Sequence, residues 1–116
     1  YNNKIYMVGG IEYGHTSGTN NYFDSYDLIT GKWEVLTKAP HIRDHFPVII
    51  VDDKLYCIGG RNTSFHYPDR FGAFFEATIP YVDVYNFKEK KLKSSTPPHS
   101  VWFNFLTSSE HFRYQN

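Results

Sequence analysis

Apolar and aromatic residues fall along this chain in short blocks divided by polar pairs. Ile5, Tyr6, Met7 and Val8 form one block, Val48, Ile49, Ile50 and Val51 a second, and Leu55, Tyr56, Cys57 and Ile58 a third. Runs that are apolar throughout predict strands covered on both faces, hence inner strands of a sheet. Asn2-Asn3 precedes the first block, Asp52-Asp53 divides the second from the third, and Thr30-Gly31 divides Tyr26-Asp27-Leu28 from Trp33-Glu34-Val35. Short polar links between such runs are hairpin signals. Helical patterns of Leu, Ala, Glu and Lys are missing, whereas Tyr (10), Phe (10) and Trp (2) are abundant, which favours strands.

The blocks repeat. Lys4-Ile5-Tyr6-Met7-Val8-Gly9-Gly10 returns as Lys54-Leu55-Tyr56-Cys57-Ile58-Gly59-Gly60, an offset of 50 residues. Phe23-Asp24-Ser25-Tyr26 followed by Trp33 returns as Val82-Asp83-Val84-Tyr85 followed by Leu92, now at offset 59, so the second unit carries nine extra residues after its Gly pair. Pro40 and Pro98 close the units at offset 58. A period of this length is the mark of a repeat architecture.

An apolar strand ending in a Gly pair, then a Tyr, a Trp seven residues beyond it and a closing Pro, resembles the kelch repeat over residues 4–98. The pattern departs at Leu92, where Trp is expected, and residues 99–116 match no kelch start well. The resemblance implies an all-β fold, a partial β-propeller of four-stranded antiparallel blades amounting to about two kelch units. The complete second unit, residues 41–98, is expected to form strands over 46–51, 54–59, 81–87 and 91–95. The first, residues 1–40, lacks its opening strand and keeps 4–9, 22–28 and 33–36; residues 99–116 are either the first strand of a further blade, beginning at 101–106, or an irregular tail. Propellers close rings of four to eight blades. Two units leave faces and edges open, so the remaining blades are expected from the full chain or another copy, and the isolated chain should be weakly stable or prone to associate. With no initiator Met and a strand starting within three residues of Tyr1, the chain reads as a fragment.

Alternating strand direction assigns the loops to faces. Tight turns (Asp52-Asp53, Thr30-Gly31 and residues 88–90) share one face, while the long segments 11–21, 37–45 and 61–80 share the other. Function is expected on the long-loop face, because rigid scaffolds present variable loops. Segment 61–80 holds Arg61, His66, Tyr67, Asp69, Arg70, Phe71, Phe74, Phe75 and Glu76. Such mixed aromatic and charged side chains suit a protein-binding surface; the three Phe residues either join it or plug the top of the blade. His41-Ile42-Arg43-Asp44-His45 lies just ahead of an inner strand. Arg43 there is a structural or ligand-facing cation near the axis, or pairs with Asp44 or a neighbouring blade's carboxylate, the pairing being preferred. The binding candidates are thus Arg43, Asp44, His45, Arg61, His66, Tyr67, Asp69 and Arg70.

Other chemistries fit less well. His41 and His45 would share a face on a helix, but a loop entering a strand breaks that geometry and no third zinc ligand has diagnostic spacing. Asp24 and Asp83 are repeat-equivalent and therefore a blade apart, too far to act on one substrate; they are assigned to hydrogen bonds with backbone or Tyr hydroxyls. No helix start or Lys-Ser/Thr follows either Gly pair, which excludes a phosphate loop; the glycines instead allow positive φ and close backbone approach. Cys57, the one cysteine, excludes an internal disulfide and is expected to be a packed, inert thiol.

Charge narrows the partners. Lys plus Arg and Asp plus Glu are equal at 12 each, so no net field draws the chain to nucleic acid or an anionic membrane. No stretch approaches the length of an apolar membrane span, and no signal pattern opens the chain. Lone-cysteine usage favours the cytosol without fixing the compartment. A protein partner is expected and no cofactor. Two other outcomes follow from the resemblance and the tail: a propeller part of a galactose oxidase-like copper oxidase, although no Tyr/His ligand set can be traced, or a truncated product without activity of its own.

Overall fold

The structure, a computed structural model, describes residues 1–14, 17–64 and 78–95. The described residues form strands and no helix, so no helix there is long and apolar enough to cross a membrane. The elements are β1 (Lys4–Tyr13), β2 (Ser17–Asp27), β3 (Trp33–Val35), β4 (Val48–Val51), β5 (Lys54–Ile58), β6 (Val82–Asn86) and β7 (Lys91–Ser95). They make two antiparallel meanders, a three-stranded sheet in the order β1-β2-β3 and a four-stranded sheet in the order β4-β5-β6-β7. These are partial kelch-type blades, as the repeat predicts. The anticipated strand at 101–106 lies outside the described residues.

Both units share one register. Met7 pairs with Asp24 and Asp24 with Val35, just as Cys57 pairs with Asp83 and Asp83 with Ser94. The turns match too: Asn2 and Asn3 have φ of 46° and 58°, Asp52 and Asp53 48° and 58°. Consecutive positive φ values suit the twist of a tight hairpin, and Asn and Asp tolerate them best. At the next turn Asp27 Oδ1 accepts from the amides of Ile29 and Thr30, and Asn86 Oδ1 accepts from those of Lys88 and Glu89. Each residue closes its turn with its own side chain.

Residues 11–21 were expected to be a long loop, and the structure corrects this. β1 and β2 continue past the Gly pair as one extended hairpin, with Ile11 opposite Thr19 and Tyr13 opposite Ser17. A register shift between Val8 and Gly10 kinks the ladder and lets it resume; such bulges re-aim the strands beyond them. Gly- and Asn-rich composition gave no strand signal there. A smaller difference is that β4 starts at Val48 and not at residue 46. His45 has φ of 51° and Pro47 has no N–H to give a ladder, so pairing begins after both.

The two sheets pack face to face. Phe23 of β2 meets Tyr85 edge-on at 4.8 Å, Tyr6 of β1 meets Phe87 edge-on at 4.9 Å, and Tyr1 stacks on Phe87 at 3.9 Å. Phe23, Leu55, Cys57, Tyr85 and Phe87 are the buried cluster, ringed by Tyr6, Val8, Leu36, Phe46 and Leu92. Leu92, where Trp was anticipated, packs against this core, while the first unit's Trp33 lies on Tyr26 at 4.9 Å and is largely exposed. Position within the repeat does not decide burial. Ile5 and Met7 are 49% and 54% exposed, whereas their equivalents Leu55 and Cys57 are each 1% exposed. The second sheet's face is covered by the first; no described residue covers the matching face of the first. For the same reason β4, expected to be covered on both faces, is an edge strand with all four residues exposed.

Candidate functional site

The long-loop face is organised by the segment that enters β4. Arg43, 1% exposed, points inward. Its Nη1 donates to the carbonyls of Cys57 (2.8 Å), Gly59 (3.1 Å) and Tyr81 (3.3 Å), and its Nη2 to Asp83 Oδ2 (2.9 Å). The planar fork suits this mixture of acceptors, since guanidinium donors diverge at fixed angles. His41 Nδ1 reaches the other Asp83 oxygen at 2.9 Å, and its ring stacks on Tyr81 at 4.0 Å. Asp83 therefore takes Arg43 and His41, not the backbone or Tyr hydroxyl partners expected of it. Arg43 pairs within its own blade, with neither Asp44 nor a neighbour's carboxylate.

Asp44 points the opposite way, into the seam between the sheets. Its Oδ1 accepts from the Thr63 amide (2.8 Å) and the Thr19 hydroxyl (3.1 Å), while Oδ2 accepts from the Thr63 hydroxyl and meets His45 Nδ1 at 2.5 Å. Burial alone would raise the Asp44 pKa, but hydrogen bonds from Thr63, His45 and Thr19 outweigh it and hold the carboxyl below its usual range. Thr19 and Ser64 complete the knot: the Thr19 amide donates to Ser64 Oγ at 2.7 Å, and the Ser64 amide and hydroxyl donate to Thr19 Oγ1 at 3.1 and 2.8 Å. Thr19 belongs to the hairpin extension of the first sheet and Thr63 and Ser64 follow the second Gly pair, so the knot locks both blades together.

Backbone bonds run through the same seam. The Gly10 amide donates to Arg43 O (2.9 Å) and the Arg43 amide to Asn20 O (3.2 Å), while Asp44 and Arg61 exchange amide bonds at 2.8 and 3.0 Å. The Gly pairs make room for this. A Cβ on Gly9, whose φ is 61°, would stand 2.7 Å from Arg43 O, and one on Gly60 2.9 Å from Asp44 O. Close approach at both pairs is what the repeat requires of glycine.

The candidates thus divide. Arg43 and Asp44 are buried and act within the scaffold. His45 reaches solvent with a side chain 48% exposed, and Arg61 lies on the rim, its Nε 3.2 Å from Thr63 Oγ1 and 3.8 Å from Asp44 Oδ2. His66, Tyr67, Asp69 and Arg70 lie outside the described residues, as do Phe71, Phe74, Phe75 and Glu76. Thr19, Thr63 and Ser64 were not anticipated: hydroxyl residues are common in loops, and nothing in their spacing marks them as partners across a blade boundary. Cys57 is a packed thiol whose pKa burial pushes up to about 11, which keeps it protonated at neutral pH.

Two antiparallel units of three and four strands, each with a positive-φ Gly pair after its Lys-x-Tyr motif and the second with an arginine tied beneath that pair, define the class: this chain is a kelch-repeat protein. Kelch-like protein 40 of Xenopus tropicalis is 30% identical over 88 residues, 76% of this chain and 13% of that protein. Beta-scruin of Limulus polyphemus is 30% identical over 91 residues (74% of this chain, 9% of that protein), and Kelch-like protein terF of Aspergillus terreus 36% over 59 residues (49% and 13%). The chain therefore spans between 9% and 13% of the length of these relatives. No family model matches it.

Proposed function

We propose that this chain is part of a protein-interaction module whose contact surface is the long-loop face, with His45, Arg61, His66, Tyr67, Asp69 and Arg70 as contact residues and Arg43 and Asp44 as the support behind them. The observation that carries this reading is the knot of Thr19, Asp44, Thr63 and Ser64. It ties the hairpin extension of one blade to the segment after the Gly pair of the other before any partner arrives, and preorganised elements lose less entropy on binding. The sequence segments assigned to this face also carry aromatic, His and Arg residues, the types that anchor protein interfaces. Among the described residues, the opposite face holds the tight turns at Asn2-Asn3, Thr30-Gly31, Asp52-Asp53 and residues 88–90. The similarity to Kelch-like protein 40 and beta-scruin supports such a module.

The test is quantitative affinity capture with the 116-residue chain. Partners retained by the wild type should fall at least tenfold with His45→Ala combined with His66→Ala and Arg70→Ala, and stay level with Lys32→Ala combined with Glu89→Ala on the turn face. Equal losses from both sets of variants, or no selective capture at all, would remove the reading.

A further inference from the structure

Residues 88–93 read Lys-Glu-Lys-Lys-Leu-Lys, four lysines against one glutamate in a chain with 12 basic and 12 acidic residues. They form the turn between β6 and β7 and the first half of β7, and all five charged residues are exposed. Lys88 Nζ lies 3.2 Å from Asp53 Oδ2, whereas no described acid pairs with Lys90, Lys91 or Lys93. β7 is the last strand of its sheet, and no described strand pairs with its outer side.

The fold does not require this charge. The first blade makes the same turn with Gly31 where Lys90 stands: the Gly31 amide donates to Asp27 O and the Lys90 amide to Asn86 O, each at 2.8 Å, with φ of 70° and 55°. A left-handed lysine is strained where glycine is not. The other described non-glycine residues with positive φ are Asn, Asp or His, the types that tolerate it best. On the strand, Lys93 stands where the first blade has Glu34. Lys32 and Glu34, the equivalents of Lys91 and Lys93, stay exposed although the second sheet covers that face of the first, so these positions meet solvent even on a covered blade. Lysines along an edge strand discourage indiscriminate pairing, but that role does not call for a lysine in the turn.

We propose that the outer edge of β7 docks an extended acidic segment of a partner protein, one with carboxylates at alternate positions. Lys91 and Lys93 project from one side of the strand, roughly 6.7 Å apart. A segment added to this edge presents alternate side chains on that same side at the same spacing, which sets a carboxylate opposite each lysine. Opposite charges across a strand pair attract and like charges repel, so the lysines that turn away a basic edge select an acidic one. Lys90 carries the positive charge around the turn to the next carboxylate. Main-chain pairing at the open edge supplies the part of the affinity that does not depend on sequence. This edge is separate from the long-loop face, and neither reading rests on the other.

The experiment titrates a short fluorescent peptide of alternating glutamate and threonine into the 116-residue chain and reads anisotropy and backbone amide exchange. Saturable binding is expected, weakening as salt is added, with new protection confined to β7. Lys91→Glu combined with Lys93→Glu should weaken binding at least tenfold, and a peptide of the same composition with its glutamates gathered in one block should bind at least threefold more weakly. Lys90→Gly should weaken binding while raising the melting temperature of the free chain by about 4 °C or more, which separates loss of docking from loss of the fold. Lys32→Ala, at the equivalent place in the first blade, should leave binding unchanged. Binding unaffected by the charge reversal or by Lys90→Gly, protection on other strands in place of β7, equal binding by the block peptide, or no saturable peptide binding, whether or not phosphatidylserine vesicles bind instead, would each overturn the proposal.

Discussion

Arg43→Met tests how much of the second blade rests on one buried cation. Arg43 and Asp83 are 1% and 0% exposed, so water screens neither group. Removing one partner of a buried ion pair typically costs about 3–5 kcal/mol, because the other charge is left in a poor environment. Three carbonyls also lose a donor. Against this, Arg43 Nε is itself buried without a partner, so the native site is not ideal and its loss restores something. The net expectation is about 3 kcal/mol. At roughly 4–8 °C per kcal/mol for a domain of this size, the melting temperature should fall by at least about 12 °C. Urea unfolding of wild type, Arg43→Met, Asp83→Asn and the double variant, all in a fixed stabilising concentration of an osmolyte so that each starts folded, closes the cycle. The double variant should cost at least about 1 kcal/mol less than the two single changes added together. Arg43→Lys keeps the charge but not the fork and should fall between. Lys4→Ala, which breaks an exposed 4.0 Å pair with Glu34, serves as control at about 0–1 kcal/mol. If Arg43→Met costs no more than that control, the buried pair does not hold the blade.

Three more expectations follow from the seam and the core. Gly9→Ala combines positive φ with a Cβ 2.7 Å from Arg43 O and should cost about 1–3 kcal/mol, clearly more than Gly14→Ala, where φ is also positive but no atom lies within 4 Å; urea midpoints compare the two. Asp44 has a depressed pKa in the folded chain, so its stabilisation is fully present above its unfolded value of about 4 and is lost as pH falls through the folded value. Thr63→Val should flatten that acid limb in a melting-temperature profile; an unchanged limb would assign it to other carboxylates. Cys57, with its thiol pushed up to about 11, should resist alkylation at neutral pH in the native chain and react readily in denaturant, as mass spectrometry would record.

Much of the scaffold was legible along the chain because its signals are local. A polar pair between apolar runs selects a tight turn, and a turn sets the pairing register of the strands it joins. Asn2-Asn3 and Asp52-Asp53 therefore give the same hairpin twice. The Gly pairs were readable for a related reason, since few other residues accept their φ. The 11–21 segment was not readable. Its strands pair through a bulge and are pinned from the other blade by Ser64 and Asp44, so what stabilises them lies 45 and 25 residues away in sequence.

The sequence by itself determined the repeat, the order of the strands in each blade and the register next to each tight turn. These depend on backbone geometry within a few residues of each turn. Only the tertiary structure decided which loop residues are scaffold and which reach solvent. Arg43, Asp44 and His45 are consecutive, yet the first is folded under the blade, the second closes the seam and the third faces water. A side chain's role there depends on which acceptors the neighbouring blade and the Gly pair bring within 3 Å, and no local pattern encodes that distance.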